Sequence, residues 1–407
     1  MLNDPQPVKK RRRIRTLTIG NSRAFFDNQF GYVMNRCIYT KEHFQAADGE
    51  HILQNFLGAR WTSPEISSNQ AQHEFGATID VALADGLKEI RNLLGARGGR
   101  GEPGPSLKNI LGSEGTKFTV DPGGKPNIAA PVIRTAQMPD GRHQVQVVLG
   151  DMKQLGWAVA KLRSMYPDAR FDIEELRQRA VAQTGYVRER LKLRSGLGGD
   201  RFFRGALKAA FNLLGASDAN TALLDVFDEV RTFILTGKGD CKKFVRWLNS
   251  VDAIKLPRIG DFDQFVAVFS KDGFVDGYIQ FYGEIGFLLR LAEKYEGPEF
   301  RYGYLVDPFR DATPAEIRHP DFDRENIPSF ESGSPLPDET VWPAISARLS
   351  RILERHHSRA DAENLSRIVD DVLLPHDGRI ITKEMINEIS QKAGEYIAHR
   401  LFMSRPK

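Results

Sequence analysis

Cysteine is scarce in this sequence, with only Cys37 and Cys241 among 407 residues. Two thiols exclude a disulfide-stabilised scaffold and are typical of proteins that fold in a reducing compartment, so we expect a cytoplasmic location. Long apolar runs are also lacking, since no stretch of about eighteen consecutive apolar residues occurs. The sequence therefore predicts no membrane span, and its basic beginning shows no apolar stretch of the signal-peptide type.

A strong excess of one charge is missing as well, because 57 lysines and arginines stand against 53 acidic residues, a net charge of +4. The basic residues are nevertheless unevenly distributed. Six of them crowd into one tract near the beginning, namely Lys9, Lys10, Arg11, Arg12, Arg13 and Arg15. Such a tract can bind phosphates by releasing counterions, or it can be a solvated terminus, and the sequence leaves both readings open.

The composition that remains, with 41% hydrophobic and 27% charged residues, is typical of a globular protein. A chain of 407 residues is too long for one ordinary core, so more than one domain is expected. Residues 95–106 are dense in glycine and proline and form the predicted linker. Before it, residues 1–94 are predicted as a basic arm plus a small domain. After it come a mixed α+β domain of unknown role at 107–308 and an extended loop with C-terminal helices at 309–407.

Hydrophobic periodicity gives a coarse secondary structure. Short strands are predicted at 36–40 and 50–57, and an amphipathic helix is predicted from Asn69 to Leu94. Beyond the linker, residues 116–150 and 274–307 have strand character. Further helices are predicted over 151–166, 171–195, 201–214, 223–235, 343–371 and 382–403. The fold class is therefore α+β.

The residues with the clearest chemistry are Glu50 and His51, followed by Asn69 at the predicted helix start and His73 one turn later. Positions four apart on a helix share a face, so Asn69 and His73 can converge on one point. Carboxylate and amide oxygens suit a hard cation, and a near-neutral histidine can take a proton from water. Adjacent strand residues face opposite ways, so Glu50 and His51 can act together only if the backbone beside Gly49 is irregular.

These residues belong to an ordered string of short matches: Cys37-Ile-Tyr-Thr40, Gly49-Glu50-His51-Ile52, Leu57-Gly58, Ser68-Asn69, Phe75-Gly76 and Ile79-Asp80. The string resembles the HNH endonuclease superfamily over about 45 residues, roughly a tenth of the chain. The resemblance implies a small N-terminal ββα-metal domain, joined by the Gly/Pro linker to a larger mixed α/β region with a helical C-terminus.

The resemblance also implies roles for individual residues. His51 stands at the position of the general base, which activates water. Glu50 and Asn69 stand at positions of metal ligands, and His73 at the position of an additional metal-binding histidine. The implied cofactor is a divalent metal ion such as Mg²⁺, which would stabilise the negative charge that develops during phosphodiester hydrolysis.

This sequence departs from the family at the structural zinc site. In the related proteins two CxxC pairs hold the zinc. Here Cys37 is retained, whereas Thr40, Glu65 and Ser68 occupy the other three positions. One thiolate cannot form a closed tetrahedral site, so no structural zinc is expected. Apolar packing would have to replace it.

The sequence thus predicts a metal-dependent HNH endonuclease that hydrolyses DNA, with RNA left open as a substrate. The alternative is a catalytically inactive HNH-like protein that binds nucleic acid or has a regulatory role. By association with the family, bacterial antiviral defence or a mobile element is the expected setting. Residues 107–407 would select the substrate, act as a sensor, form an oligomer interface or bind a protein partner. A third hypothesis is that residues 107–407 carry an unrelated function.

A second charged region lies on the predicted C-terminal helix, where Arg351, Arg355 and Arg359 flank His356 and His357. Such a face can bind phosphate, or it can be an ordinary solvated helix. The pattern favours the solvated helix.

Overall fold

The computed structural model describes residues 34–45, 47–139, 143–181, 187, 189–252, 254–309, 316–336, 341–376, 378 and 380–404. The basic tract at residues 9–15 lies outside the described residues. Among the residues that are described, helices and strands are mixed and the C-terminal part is helical, which confirms the α+β class. No helix in this part of the chain is both long enough and apolar enough to cross a membrane.

The N-terminal part consists of short strands followed by two helices. The strands are β1 (Asn35–Arg36), β2 (His43–Phe44), β3 (Glu50–His51) and β4 (Thr62–Ser63), and they pair as β1 with β2 and β3 with β4. The helices are α1 (Asn69–Ala77) and α2 (Ile79–Leu94). Ser68 caps α1 by accepting the Ala71 N–H at 3.4 Å. The single helix predicted from Asn69 is therefore two helices, because the backbone leaves the helical conformation at Thr78.

The next part of the chain forms two small antiparallel sheets and two helices. Its elements are β5 (Leu107–Gly112), β6 (Lys117–Asp121), β7 (Lys125–Ile128), β8 (Val132–Gln137), β9 (His143–Val148), α3 (Leu155–Met165), α4 (Ile173–Arg179) and β10 (Leu191–Lys192). One sheet has the order β10-β5-β6-β7, and β8 pairs with β9. The strand character predicted for 116–150 is confirmed. The helix predicted over 171–195 is wrong beyond Arg179, because Ala180 is extended and β10 pairs with β5.

A seven-stranded antiparallel sheet forms the centre of the described structure. Its strands are β11 (Val245–Trp247), β12 (Gln264–Lys271), β13 (Phe274–Phe281), β14 (Ile285–Ala292), β15 (Arg301–Val306), β16 (Glu316–Arg318) and β17 (Ser334–Pro335). Their order is β16-β15-β12-β13-β14-β11-β17. Apolar clusters cover both faces of the sheet, so the central strands are buried on both sides. The strand character predicted for 274–307 is confirmed.

The remaining helices are α5 (Asp200–Ser217), α6 (Ala219–Ala222), α7 (Asp228–Thr236), α8 (Val341–Leu373) and α9 (Lys383–Ser404). Helix α5 packs on the central sheet and also crosses α2. Glycines permit the close crossing: a Cβ on Gly86 would lie 2.6 Å from the Phe202 ring, and one on Gly205 would lie 3.1 Å from the Leu83 side chain. The first turn of α2 therefore lies beside the middle of α5.

The hydrophobic core is continuous across residues 95–106, since it contains side chains from both sides of that segment. The segment itself is packed, because the Gly99 N–H donates to the Asn55 carbonyl at 2.8 Å. A Cβ on Gly99 would lie 2.1 Å from the Ala59 carbonyl oxygen, so only glycine fits this approach. The division into domains at 95–106 stays a prediction, and the candidate site draws residues from both sides of it.

Candidate functional site

Strand β3 carries Glu50 and His51 against α5. In the β3–β4 pair Glu50 lies opposite Ser63, and His51 lies opposite Thr62. A Cβ on Gly49 would lie 2.7 Å from the Thr62 hydroxyl oxygen, so glycine permits the close approach of the two chains. Glu50 is buried and His51 is half-buried.

The Glu50 carboxylate is paired with an amine. Lys208 Nζ lies 2.7 Å from Glu50 Oε1 and 2.7 Å from Asp80 Oδ2, and the Lys208 side chain is only 1% exposed. Its ammonium also lies 5.0 Å from the centroid of the Phe75 ring. Burial by itself lowers the pKa of an amine, but the two carboxylates outweigh that effect and raise the pKa of Lys208. Lys208 is therefore a charged ammonium bracketed by two carboxylates.

Amide side chains complete this arrangement. Asn212, one turn after Lys208, donates to the His51 carbonyl at 2.8 Å and to Glu50 Oε1 at 3.3 Å. The Tyr39 hydroxyl donates to Asn212 Oδ1 at 2.5 Å. Gln54 Nε2 donates to Asp80 Oδ1 at 2.9 Å. We refer to these six residues as the Lys208 cluster: Tyr39, Glu50, Gln54, Asp80, Lys208 and Asn212.

His51 has a different environment from Glu50. Its Nδ1 is buried and has no hydrogen-bond partner among the described residues. Burial lowers the pKa of His51, and the positive charges of Arg100 and Lys208 lower it further. The imidazole is consequently neutral at physiological pH. A neutral imidazole can accept a proton, which is what a general base requires.

Asn69 and His73 lie on the exposed side of α1. Asn69 Oδ1 accepts the Asp48 N–H at 3.0 Å, and Gln72 Nε2 donates to the Asp48 carbonyl at 2.6 Å. These two bonds tie the start of α1 to the segment that leads into Glu50. His73 makes no hydrogen bond or ion pair within the described part of the chain. The structure thus links Asn69 to the backbone before Glu50. Among the described residues, no hydrogen bond or ion pair joins His73 to Asn69 or to Glu50.

In the folded protein, the predicted ligands Glu50, Asn69 and His73 do not suit a divalent cation. An ion bound to Glu50 Oε1 at about 2.1 Å would lie within about 5 Å of the Lys208 ammonium, so two cations would face each other in a buried place. The Asn69 amide oxygen is already engaged with the backbone. In the described residues no group of three or more His, Cys, Asp or Glu side chains is arranged to hold a metal ion. The predicted Mg²⁺ ligands Glu50, Asn69 and His73 stay a prediction that this geometry does not support.

Sequence reasoning missed Lys208 and Asn212. They lie four residues apart on α5, and both are buried in a helix that is otherwise largely apolar on its buried side. A lysine flanked by Leu207 and Ala209, with an asparagine one turn on, is the signal that could have been noticed. Buried polar side chains need partners, so the pair indicates a contact with an acidic residue elsewhere.

A second candidate site is a groove of about 580 Å³ between α2, β5 and the segment from Lys192 of β10 to Arg194. Four cationic side chains line it, Lys88, Lys108, Lys192 and Arg194. Lys88 pairs with Asp85 at 3.3 Å, whereas the other three have no ion-pair partner in the described structure. One acidic side chain, Glu89, also lines the groove but is buried, and burial raises its pKa. The exposed surface of the groove is therefore positively charged. We call it the α2–β5 groove.

Comparison with protein-family models, with curated proteins and with solved structures gave no significant match. The HNH resemblance accordingly rests on the short matches in residues 37–80.

Proposed function

We propose that this chain is an HNH-like nucleic-acid-binding protein that holds a phosphodiester backbone in the α2–β5 groove. The observation that carries the proposal is a set of three cations, Lys108, Lys192 and Arg194, that share one concave surface and have no ion-pair partner among the described residues. Elsewhere in the described structure many cations are paired with carboxylates. Unpaired cations in a concavity attract an extended polyanion, because each contact releases a condensed counterion.

The position of the groove fits the proposal. Helix α2 carries Asp80 of the Lys208 cluster in its first turn and Lys88 eight residues later, about 12 Å along the axis. A backbone in the groove would therefore lie within a few nucleotides of His51, the neutral imidazole beside the cluster. The resemblance to HNH proteins supports nucleic acid as the polyanion.

A binding measurement tests this function. Fluorescence anisotropy with labelled duplex DNA, single-stranded DNA and RNA, each over a range of salt, should show binding that weakens as salt rises. The triple variant Lys108→Glu, Lys192→Glu, Arg194→Glu should bind more weakly, with a salt slope flatter by about three. The matched control reverses three exposed cations that do not line the groove, Lys153, Arg170 and Lys238.

Two outcomes would contradict the proposal. If the wild-type chain binds none of the three nucleic acids at low salt, the function is wrong. If the control triple loses as much affinity as the groove triple, binding reflects overall charge and the groove has no special role.

A second candidate function is phosphodiester hydrolysis at His51, favoured by its neutral, only half-buried imidazole, whose Nδ1 has no hydrogen-bond partner among the described residues. His51 would take a proton from water, the resulting hydroxide would form a bond to phosphorus, and the bond to the leaving 3′ oxygen would break as solvent protonates that oxygen. Supercoiled plasmid, incubated with Mg²⁺, with Mn²⁺ and with chelator, tests this function. Wild type should nick the plasmid and His51→Ala should not. Equal inertness of both proteins under every condition would rule the hydrolase out.

A further inference from the structure

The Lys208 cluster contains an unusual charge balance for a buried place. One ammonium faces two carboxylates, and all three side chains come from different elements: Glu50 from β3, Asp80 from α2 and Lys208 from α5. Glu50 and Lys208 are almost fully buried, at 7% and 1% exposed. A lone carboxylate in such a place would be strongly destabilised, so the ammonium is what allows the two acidic groups to remain close.

The surroundings are those of a hard-cation site. Two carboxylate oxygens converge on one point, at 2.7 Å each from Lys208 Nζ. An amide side chain borders the same cluster: Gln54 donates to Asp80 Oδ1 through Nε2 at 2.9 Å, it is 6% exposed, and its Oε1 has no hydrogen-bond partner in the described residues. Carboxylate and amide oxygens are the ligands that Mg²⁺, Mn²⁺ and Ca²⁺ prefer. In this chain the converging point is filled by the end of a lysine side chain.

We propose that the Lys208 ammonium occupies this site in place of a divalent ion and neutralises its two carboxylates. Shortening Lys208 then opens a latent divalent-cation site at Glu50 and Asp80. Alanine at position 208 removes both the positive charge and the chain that fills the space. Two carboxylates would then face a small cavity without a counter-charge. A divalent ion with bound water is the ligand that satisfies that cavity.

The wild-type chain provides the first test. The full-length protein is stripped with chelator and titrated with Mn²⁺ while thermal unfolding and the Mn²⁺ electron paramagnetic resonance signal are recorded. Any Mn²⁺ response of wild type should be the same in Glu50→Gln, because Glu50 is already paired with an ammonium. A wild-type Mn²⁺ site that disappears in Glu50→Gln would overturn the proposal, and this comparison does not depend on whether any Lys208 variant folds.

The Lys208 variants provide the second test. Lys208→Ala should have a lower Tm than wild type without metal, and added Mn²⁺ should raise that Tm saturably. The added response should vanish in the double variant Lys208→Ala, Glu50→Gln. Lys208→Met is the matched control, because methionine largely fills the space without a charge and should leave no room for the ion.

Each remaining outcome counts against the proposal. A folded Lys208→Ala that shows no more Mn²⁺ response than wild type has no latent site. The proposal also fails if Lys208→Ala stays unfolded at every Mn²⁺ concentration, since the ion should replace the charge that was lost. An equal gain in Lys208→Met would show that the effect does not come from an opened site.

Discussion

Lys208 and Glu284 each lie at the centre of a buried charged cluster, with the signs reversed. Lys208 is one cation between two carboxylates. Glu284, in the turn between β13 and β14, is one anion among three arginines of α8. It pairs with Arg348 at 3.2 Å, with Arg351 at 3.0 Å and also with Arg355. We call these four residues the Glu284 cluster. The first cluster joins α2, α5 and β3, and the second joins α8 to the central sheet.

The two clusters differ in the number of alternative partners available to the residues around the central ion. These residues are the arginines in the Glu284 cluster and the carboxylates in the Lys208 cluster. Each arginine of the Glu284 cluster has a second acceptor: Arg348 donates to the Asn249 carbonyl, Arg351 to the Asp252 carboxylate and Arg355 to the Asp261 carbonyl. Arg351 is also 37% exposed, so water can solvate it. Glu50, by contrast, has no cation partner other than Lys208 among the described residues. Loss of one ion should therefore matter more in the Lys208 cluster.

The α8 arginines also bear on the charged helix face beside His356 and His357, for which the sequence favoured a solvated helix over a phosphate-binding face. Arg351 and Arg355 are held by Glu284, and Arg359 pairs with Glu363 at 2.7 Å. These cations are engaged within the molecule, whereas Lys108, Lys192 and Arg194 of the α2–β5 groove have no ion-pair partner among the described residues. This contrast separates cations that join elements from cations that, under the proposed function, would bind a phosphate backbone.

The largest expected effect comes from Lys208→Met. Methionine keeps most of the volume but leaves Glu50 buried without a counter-ion, and breaking a buried pair on one side costs about 3–5 kcal/mol. Chemical denaturation at neutral pH measures the loss in unfolding free energy. The control is Lys238→Met, at an exposed position after α7, which should change stability by less than about 0.5 kcal/mol. A loss below about 1 kcal/mol for Lys208→Met would mean that the cluster is not a buried ionic unit.

Glu284→Gln is expected to have a smaller effect, about 2 kcal/mol, because each charged hydrogen bond is weakened but the arginines keep other partners. Urea denaturation of this variant beside Lys208→Met gives a direct comparison of the two clusters. If Glu284→Gln is the more destabilising of the two, redundancy of partners does not explain the difference between them.

The elements of both clusters could be predicted from sequence, but the contacts could not. Apolar periodicity predicted α5, α8 and the strands around Glu284, because those patterns are local. The partner of Glu50 lies 158 positions away in sequence, on a helix that reaches it only through the glycine-mediated crossing with α2. No local pattern contains that contact. The helix over 171–195 failed for a related reason: long-range pairing of β10 with β5 overrode the local pattern.

Asp263 sharpens the comparison, because it is a buried acid without an ion-pair partner in the described structure. It is 6% exposed, its Oδ2 accepts the Ile259 N–H at 3.0 Å, and its Oδ1 has no partner. Burial raises the pKa of Asp263 from 3.8 to about 6. The native state thus binds more protons than the unfolded state between these values, so this group's contribution to stability is present below pH 4 and is lost as pH rises through 6.

Asp263→Asn should therefore flatten the fall in stability between pH 4 and pH 6. At pH 7 it should stabilise the protein by about 1–2 kcal/mol, less than the roughly 3 kcal/mol that two pKa units represent, because the amide is a weaker acceptor. Denaturation midpoints measured from pH 4 to pH 8 test this. A variant that keeps the wild-type pH dependence would show that another group titrates in this range.

The smallest expected effect is that of Tyr39→Phe, about 1 kcal/mol, because only the hydroxyl that donates to Asn212 is lost. Tyr39→Phe is most informative in double variants, where it measures the coupling energy between side chains. Asn212 also donates to Glu50, so Tyr39→Phe and Glu50→Gln belong to one network and should be non-additive by about 0.5 kcal/mol or more. Tyr39→Phe and Glu284→Gln share no partner and should add within about 0.3–0.5 kcal/mol. Equal coupling energies in both pairs would mean that the two clusters do not act as separate units. If direct contacts define the network, loss of the Tyr39 hydroxyl should affect only the side chains that are linked to it by hydrogen bonds.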